Sequence, residues 1–424
     1  MERKVPNNRS NCWGVSKNCL DINRQVLKQS ISRRGYWVLL GLLAALGACK
    51  GGKESNAPTA THQRLFPEKG AMIELTDRPP QLETPLNIFK LDITPNEYFF
   101  VRWHLSQLVT RIDIDTFRLR IGGAVDHPLE LSMSDLKTKF TPDSVVALAI
   151  CSGNSRSTFT PRVPGSQWKN GAMGNAVWKG VKVKDLLAMA GVQKGAVEVT
   201  FGGMDKAAMP GVADYVKSLS IDHAMDGDVM IAYEMNGQPI PMLNGYPLKL
   251  VAPGWYATYW VGALNAINVV KEKYTGFWME KAYLVTTNPA INEHPDTLSK
   301  NMTPITRIKL HSIFVAPAAD TVLQAGKACM VEGLAFDDGT GIEKVEISAD
   351  GGATWVMAQL SKSLGKYSWQ RWKYEWTPAT AGAYTLQVRA TDKNGNTQPV
   401  AQWNRSGYAR QFIERLTLKV AAAK

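Results

Sequence analysis

Cys151 closes the apolar run VVALAIC (145–151) and opens the word CSGNSRS, with Arg156 five residues further on. Gly153 lets the chain turn sharply and Asn154 can tie that turn to neighbouring backbone, so the guanidinium can be aimed back at whatever the sulfur holds. A thiolate beside an arginine has a depressed pKa, which makes it a good nucleophile or a ligand for a soft metal. The plainer alternatives are a buried structural cysteine or, in an exported protein, a Cys151–Cys329 disulfide.

Other chemistries find little to build on. Of the five cysteines, Cys12, Cys19 and Cys49 lie near the N-terminus, which leaves two thiols in the body. Two thiols cannot ligate a four-cysteine iron–sulfur cluster, and no C-x-x-C or C-x-x-C-H occurs, so neither a zinc ribbon nor covalent haem is encoded. The six histidines include no H-E-x-x-H pair, and the chain has no G-x-x-x-x-G-K-[ST] phosphate loop, no well-placed dinucleotide fingerprint and no internal repeat of 20–50 residues.

The elements that must position Cys151 belong to a chain of 424 residues with 45% hydrophobic content and a net charge of +12. That length suggests two or three domains. Half of the charge sits in the first 48 residues, where eight basic side chains face two acidic ones, so no nucleic-acid partner is needed to explain it. There the uncharged run YWVLLGLLAALGA (36–48) follows Ser32-Arg33-Arg34. Thirteen apolar residues suit an export-signal core better than a membrane span of about 20, although an ordinary uncleaved anchor is the alternative. Leu46-Gly47-Ala48-Cys49 looks like a bacterial lipobox and Ser-Arg-Arg-Gly-Tyr like a twin-arginine motif. We therefore expect an export signal over 1–48, a lipid anchor at Cys49 on the periplasmic side, and a flexible tether over 49–64. Lys50 in place of aspartate is compatible with the outer membrane.

Beyond the tether, 65–110 reads as extended, and apolar runs at 117–125, 145–151, 197–203, 229–235 and 248–254 alternate with helical stretches near 132–140, 183–191 and 221–225. This pattern predicts a mixed α+β domain over 65–285, followed by an aperiodic linker over 286–303. Short strand-like runs separated by DDGTG, DGGA and DKNGN turns then predict an immunoglobulin-like β-sandwich over 304–424. Its Trp355, Trp369, Trp372 and Trp376 either fill the core or face a partner subunit.

CSGNSR, VPGSQWKNGAMGNAVWKGV and IAYEMNGQPIPMLNGYPLKLVAPG together resemble the molybdopterin domain of the sulfite oxidase family, most of all its bacterial exported sulfite dehydrogenases, and the likeness runs from about Phe99 to the C-terminus. The resemblance implies a molybdenum–molybdopterin cofactor with Cys151 as metal ligand, Arg156 as the substrate-anion arginine and Tyr233 as the active-site tyrosine. It also implies that Arg102 and His104 border pterin and metal, that Asp205, Asn244 and Lys249 contact the pterin, and that Trp168 lines the substrate pocket. Two departures stand out: Gly262 replaces a pterin-contacting lysine common in the family, and for the active-site arginine of the eukaryotic WNLRG the stretch WNRSG offers Arg405, one position early, as a further substrate-pocket residue. The implied activity is oxidation of sulfite to sulfate by a homodimer, with no haem on this chain and electrons passed to a separate c-type cytochrome. The alternatives are a molybdopterin reductase acting on a sulfoxide or an oxyanion such as nitrate, and a non-catalytic lipoprotein binding module.

Overall fold

A computed structural model describes residues 66–423; the expected export signal and the tether, with Cys49, lie outside the described residues. Two five-stranded sheets frame the first domain. In one, Asp143–Ile150 pairs antiparallel with Met173–Lys182, which pairs with Met230–Met235, and Gln238–Pro239 and Lys249–Val251 attach to the last. In the other, Leu264–Val270 lies between Leu119–Gly123, its parallel neighbour, and Glu198–Gly203, with Leu129–Leu131 and Val216–Ser220 at the edges. The three expected helices are short: Met133–Thr138, Val183–Ala190 and Ile221–Met225. The first starts on a reciprocal Ser132–Asp135 cap, and the second ends at Gly191, whose φ of +70° a side chain would resist.

The segment read as extended forms a small antiparallel sheet, Ile73–Asp77, Pro80–Glu83 and Val101–Arg102, interrupted by two 3-10 turns. The stretch read as a linker leaves and returns through a two-stranded ladder, Leu284–Thr286 with Met302–Pro304. Glu293, buried within it, is fixed to Arg405.

The C-terminal domain is a sandwich of two sheets. One orders His311–Ala316, Cys329–Phe336, Gln370–Trp376 and Gln359–Leu360; the other orders Val322–Gln324, Glu414–Ala421, Gly382–Asp392, Ile342–Ser348 and Val356–Met357. Cys329 lies on the sandwich and remains a free thiol, as does Cys151, so no disulfide joins them. Trp372 and Trp376 fill the sandwich core, and the Trp372 Nε1–H donates to Ser312 Oγ at 2.9 Å. Trp369 does something else. It is 1% exposed and meets Phe89 of the first domain edge-on at 5.2 Å, in the same apolar cluster as Ile150 and Trp178. Nearby, Leu148 N–H donates to Tyr367 O and Arg371 Nη1 to Phe89 O. The two domains thus share one core, which is what lets the sandwich brace the first domain's loops.

Trp369→Ala should therefore loosen the joint between the domains and not just the sandwich. We expect a cost of about 3–5 kcal/mol, typical of a deleted core tryptophan, read as a lowered urea midpoint.

Candidate functional site

Cys151 emerges at the end of Asp143–Ile150, and its N–H still donates to Ala172 O at 2.9 Å, so the ladder fixes its backbone. The chain then reverses. Ser155 adopts φ +64°, the Asn154 side chain accepts from Ala172 N–H at 2.8 Å, and a 3-10 turn over Arg156–Thr158 follows. Asn154 ties down the turn as its position suggested.

Two cavities meet at this loop and share Cys151, Arg102 and Tyr283 in their walls. The first runs between flat side chains, Phe100, Trp103 and Trp260 among them, and reaches Asp205, Asn244, Lys249 and Gly262. Its polar groups are unusually placed. Lys249 donates to Asn244 O at 3.0 Å, and burial lowers its pKa to about 8. Burial raises Asp205 to about 6. A Cβ on Gly262 would come within 2.8 Å of the Gly245 Cα, so these two backbones touch and a lysine at 262 would have to push them apart. The Lys249 Nζ lies 3.8 Å from where that Cβ would be and so brings a cation to the place the missing lysine would serve. Asn244 is fixed from both ends: Lys69, lowered to about 7 by burial, donates to its Oδ1 at 2.6 Å, and its own Nδ2 donates to Phe100 O.

At the junction, His104 stacks on Tyr215 at 3.8 Å and hydrogen-bonds Tyr283 through Nε2. Burial, reinforced by the Arg102, Lys217 and Lys249 charges, holds this imidazole neutral, far below its usual range. Burial alone would lower Arg102, but the nearby Tyr283 and Cys151 more than compensate, so the cation is secure. Lys217, fully buried, donates to Trp278 O at 2.7 Å and sits over the rings of Tyr259 and Tyr283.

The second cavity, ≈ 490 Å³, holds Arg156 and Trp168. Arg156 is caged by glycines: a Cβ on Gly153 or Gly165 would fall within 2.7 Å of its guanidinium, and one on Gly407 within 3.0 Å of its Nε. Its Nη atoms donate to Ser166 O and Ser406 O, Tyr408 lies 4.9 Å from its Cζ, and its Nε is buried with no partner.

The structure brings Cys151, Arg102, His104, Arg156, Trp168, Asp205, Asn244 and Lys249 around these joined cavities. Tyr233 is not among them. It sits at a bulge in Met230–Met235, opposite the far end of Met173–Lys182, seven residues from the Met173 that faces Ile150. At about 3.3 Å per residue that is roughly 23 Å from the thiol, and its ring faces Lys137 instead. The tyrosine at the junction is Tyr283, held at φ +59° and stacked on Tyr408 at 5.5 Å. Arg405 reaches the cavity wall, but its guanidinium is bound to Glu293 (2.5 Å) and Ser299 O (2.5 Å), so it is not available to an anion. Tyr283 and Tyr408 had no local sequence signal. Lys217 had one, since alternation places it on the same strand face as the buried Leu219.

Behind the Cys151 loop lies a second set of charges. Ser155 Oγ donates to Asn170 Oδ1, Asn170 Nδ2 donates to Glu414 Oε1 at 2.8 Å, and Glu414 pairs with Arg410 at 2.6 Å. Arg410 also contacts His311 and donates to Thr158 Oγ1 at 2.9 Å, while Ala409 N–H donates to Ser152 O at 3.0 Å. This network joins the start of a sandwich strand to the loop carrying Cys151 and Arg156.

A buried thiol, a buried cation and carboxylate facing an aromatic-walled slot, and glycine backbones at its end make a donor set that fits a flat pterin bearing a phosphate and a metal. The sequence matches the description "Oxidoreductase molybdopterin binding domain" over residues 106–278 and "Mo-co oxidoreductase dimerisation domain" over 302–420. It is similar to the mitochondrial sulfite oxidase of Rattus norvegicus, 32% identical over 81% of this chain, and spans 65% of that protein's length. It is 31% identical to the sulfite oxidase of Gallus gallus over 74% of this chain and 70% of that protein. The fold is shared with the sulfane dehydrogenase SoxCD from Paracoccus pantotrophus, with a TM-score of 0.71 and 24% identity, covering 89% of this chain and 96% of that one.

Glu414→Gln would leave Arg410 buried without its counter-charge, and we expect a loss of about 3–5 kcal/mol. Burial pushes the Glu414 carboxyl up, but Arg410 and His311 outweigh it and hold the group at about 2, below its ordinary 4.5. Its contribution is therefore complete above pH 4.5 and declines as the pH falls towards 2. Urea midpoints of the wild type and the variant, measured from pH 7 downwards, should stay well separated and then converge on the acid side.

Proposed function

The chain belongs to the sulfite oxidase family of molybdopterin oxidoreductases, and from that premise we propose that it is a sulfite dehydrogenase, oxidising sulfite to sulfate and passing the electrons to a separate c-type cytochrome. The observation that carries this reading is the meeting of two cavities, one suited to a pterin and one lined by arginine, at a single buried thiol. Cys151 would hold the molybdenum, while Lys249, Asp205 and the Asn244 backbone would hold the pterin and its phosphate. When bound, the cofactor supplies oxygen transfer and the two-electron oxidation.

The chain's own residues supply position and field. Arg156, its Nε without a protein partner, offers a planar cation to the sulfite oxygens, and Arg102 offers a second at the junction. Because Arg156 is buried, Arg102 half-buried, and both are held by backbone carbonyls in advance, they act in a low-dielectric setting with little reorganisation needed on substrate arrival. Burial keeps Tyr283 protonated, so its hydroxyl can hydrogen-bond a reacting oxygen while His104 holds the ring in place. Neutral His104 adds no third positive charge that would over-bind the product sulfate.

We read the protein as a homodimer, which the description of residues 302–420 and the exposed Val356 and Met357 on an edge strand of the sandwich support. We also read it as exported and lipid-anchored at Cys49, on the strength of the apolar run and lipobox.

Molybdenum-loaded protein should reduce cytochrome c when sulfite is added, and failure to do so, or nitrate reduction in its place, would overturn the reading. Cys151→Ser should abolish turnover with an unchanged circular dichroism spectrum. Arg156→Met should raise KM for sulfite about 10- to 100-fold, as expected for losing a charged hydrogen bond of roughly 1.5–3 kcal/mol.

A further inference from the structure

We propose that the arginine-lined cavity admits organic sulfinates, R–SO2⁻, and that the enzyme oxidises them to sulfonates. The inference rests on the sulfite reading above and extends it to a substituted substrate.

Size is the first observation. Sulfite has four heavy atoms and fills on the order of 100 Å³ at the roughly 30 Å³ that a water-sized group occupies in a liquid. The cavity measures ≈ 490 Å³, several times what sulfite needs, which leaves room for a substituent even with a metal held at Cys151.

The walls are the second. Beside its polar groups the lining carries Trp168, Tyr408, Met302, Pro164 and Leu284, apolar or aromatic side chains suited to a hydrocarbon substituent and of no use to a small dianion. Tyr408 is already in contact with the Arg156 guanidinium, so the apolar wall begins where the anion site ends.

Charge is the third. Arg405 is tied to Glu293 and to Ser299 O, and the neighbouring Ser406 presents its carbonyl to Arg156 while its Oγ donates to Leu284 O. Ser406 stands where the eukaryotic WNLRG pattern has arginine. The described residues thus give the cavity's inner end two arginines, Arg102 and Arg156, with Lys281 exposed among the lining residues. A sulfinate carries one charge where sulfite near neutrality carries two, and replacing the third oxygen by carbon leaves no additional buried arginine unpaired. A site rejects an analogue strongly only when the missing group strands a buried polar partner, and an apolar wall rejects an added group weakly.

The chemistry is the same as for sulfite. A sulfinate sulfur keeps its lone pair, and one S–O bond forms with oxygen ultimately from water: R–SO2⁻ + H2O → R–SO3⁻ + 2 H⁺ + 2 e⁻. The protons leave to solvent and the electrons go to two equivalents of the one-electron acceptor, the c-type cytochrome or ferricyanide in an assay.

The test compares benzenesulfinate with sulfite as electron donor to ferricyanide, in the wild type and in Ser406→Arg, and titrates benzenesulfonate and sulfate into the wild type by calorimetry. We expect benzenesulfinate turnover, benzenesulfonate binding, and in Ser406→Arg a shift of the kcat/KM ratio toward sulfite of tenfold or more. Sulfite turnover with neither sulfinate turnover nor sulfonate binding would overturn the inference and leave the sulfite reading intact. Sulfinate turnover without sulfite turnover would support the cavity assignment and contradict that reading. The calorimetry needs no variant, so a misfolded Ser406→Arg would not shield the inference from refutation.

Discussion

The buried ion pair between Arg410 and Glu414 is the contact on which the site's geometry rests. Through Asn170 and Ser155 on one side and Thr158 on the other, it fixes a loop that carries both Cys151 and Arg156. A soft ligand and an anion donor five residues apart keep a constant separation only if the turn between them cannot flex. Asn154, Gly153 and the left-handed Ser155 set its shape, and the network behind it holds that shape in place. Removing a pair like this from water costs energy that its mutual attraction only partly returns, so its value here lies in rigidity more than in stability. The sandwich therefore supports this site even though none of its sheet strands lines either of the two cavities.

A second constraint is electrostatic. The cavities gather cationic groups, Arg102, Arg156 and Lys249, with Lys217 over the ring of Tyr283, in a space that burial makes poorly screening. Burial and the neighbouring cations hold His104 neutral, burial lowers the proton affinity of Lys217 and Lys249, and Arg102 keeps its charge. The result is a graded field: firm positive charge where an anion must sit, softer charge around the pterin slot. The same reasoning accounts for Arg405. Glu293 neutralises it, and the outer cavity loses one of the cations in its wall.

What the sequence made legible was local. The Cys151 turn and its asparagine tie could be read from residue types a few positions apart, as could three helices and the alternating strands of the sandwich. What it hid depends on long-range packing. Tyr233 and Tyr283 both sit in apolar surroundings, and only the sheet order shows that the first lies at the far end of its ladder while the second reaches His104 across 179 positions. Arg405 looked like an anion ligand because its partner Glu293 is 112 residues away, in a stretch with no period of its own. Trp369 could be counted as an excess aromatic, but not placed between domains, because Phe89 lies in a segment that reads simply as extended. Gly262 could be seen as a departure, yet the approach of Gly245 and the reach of Lys249 toward it are facts of the fold.

The central claim is that Cys151 joins a metal-bearing pterin to an arginine-lined substrate cavity. X-ray absorption at the molybdenum edge, recorded on the metal-loaded wild type and on Cys151→Ala, addresses it directly. The variant should keep its molybdenum, held by the pterin, and lose one sulfur from the metal's coordination shell. The same sulfur count in both proteins would contradict it.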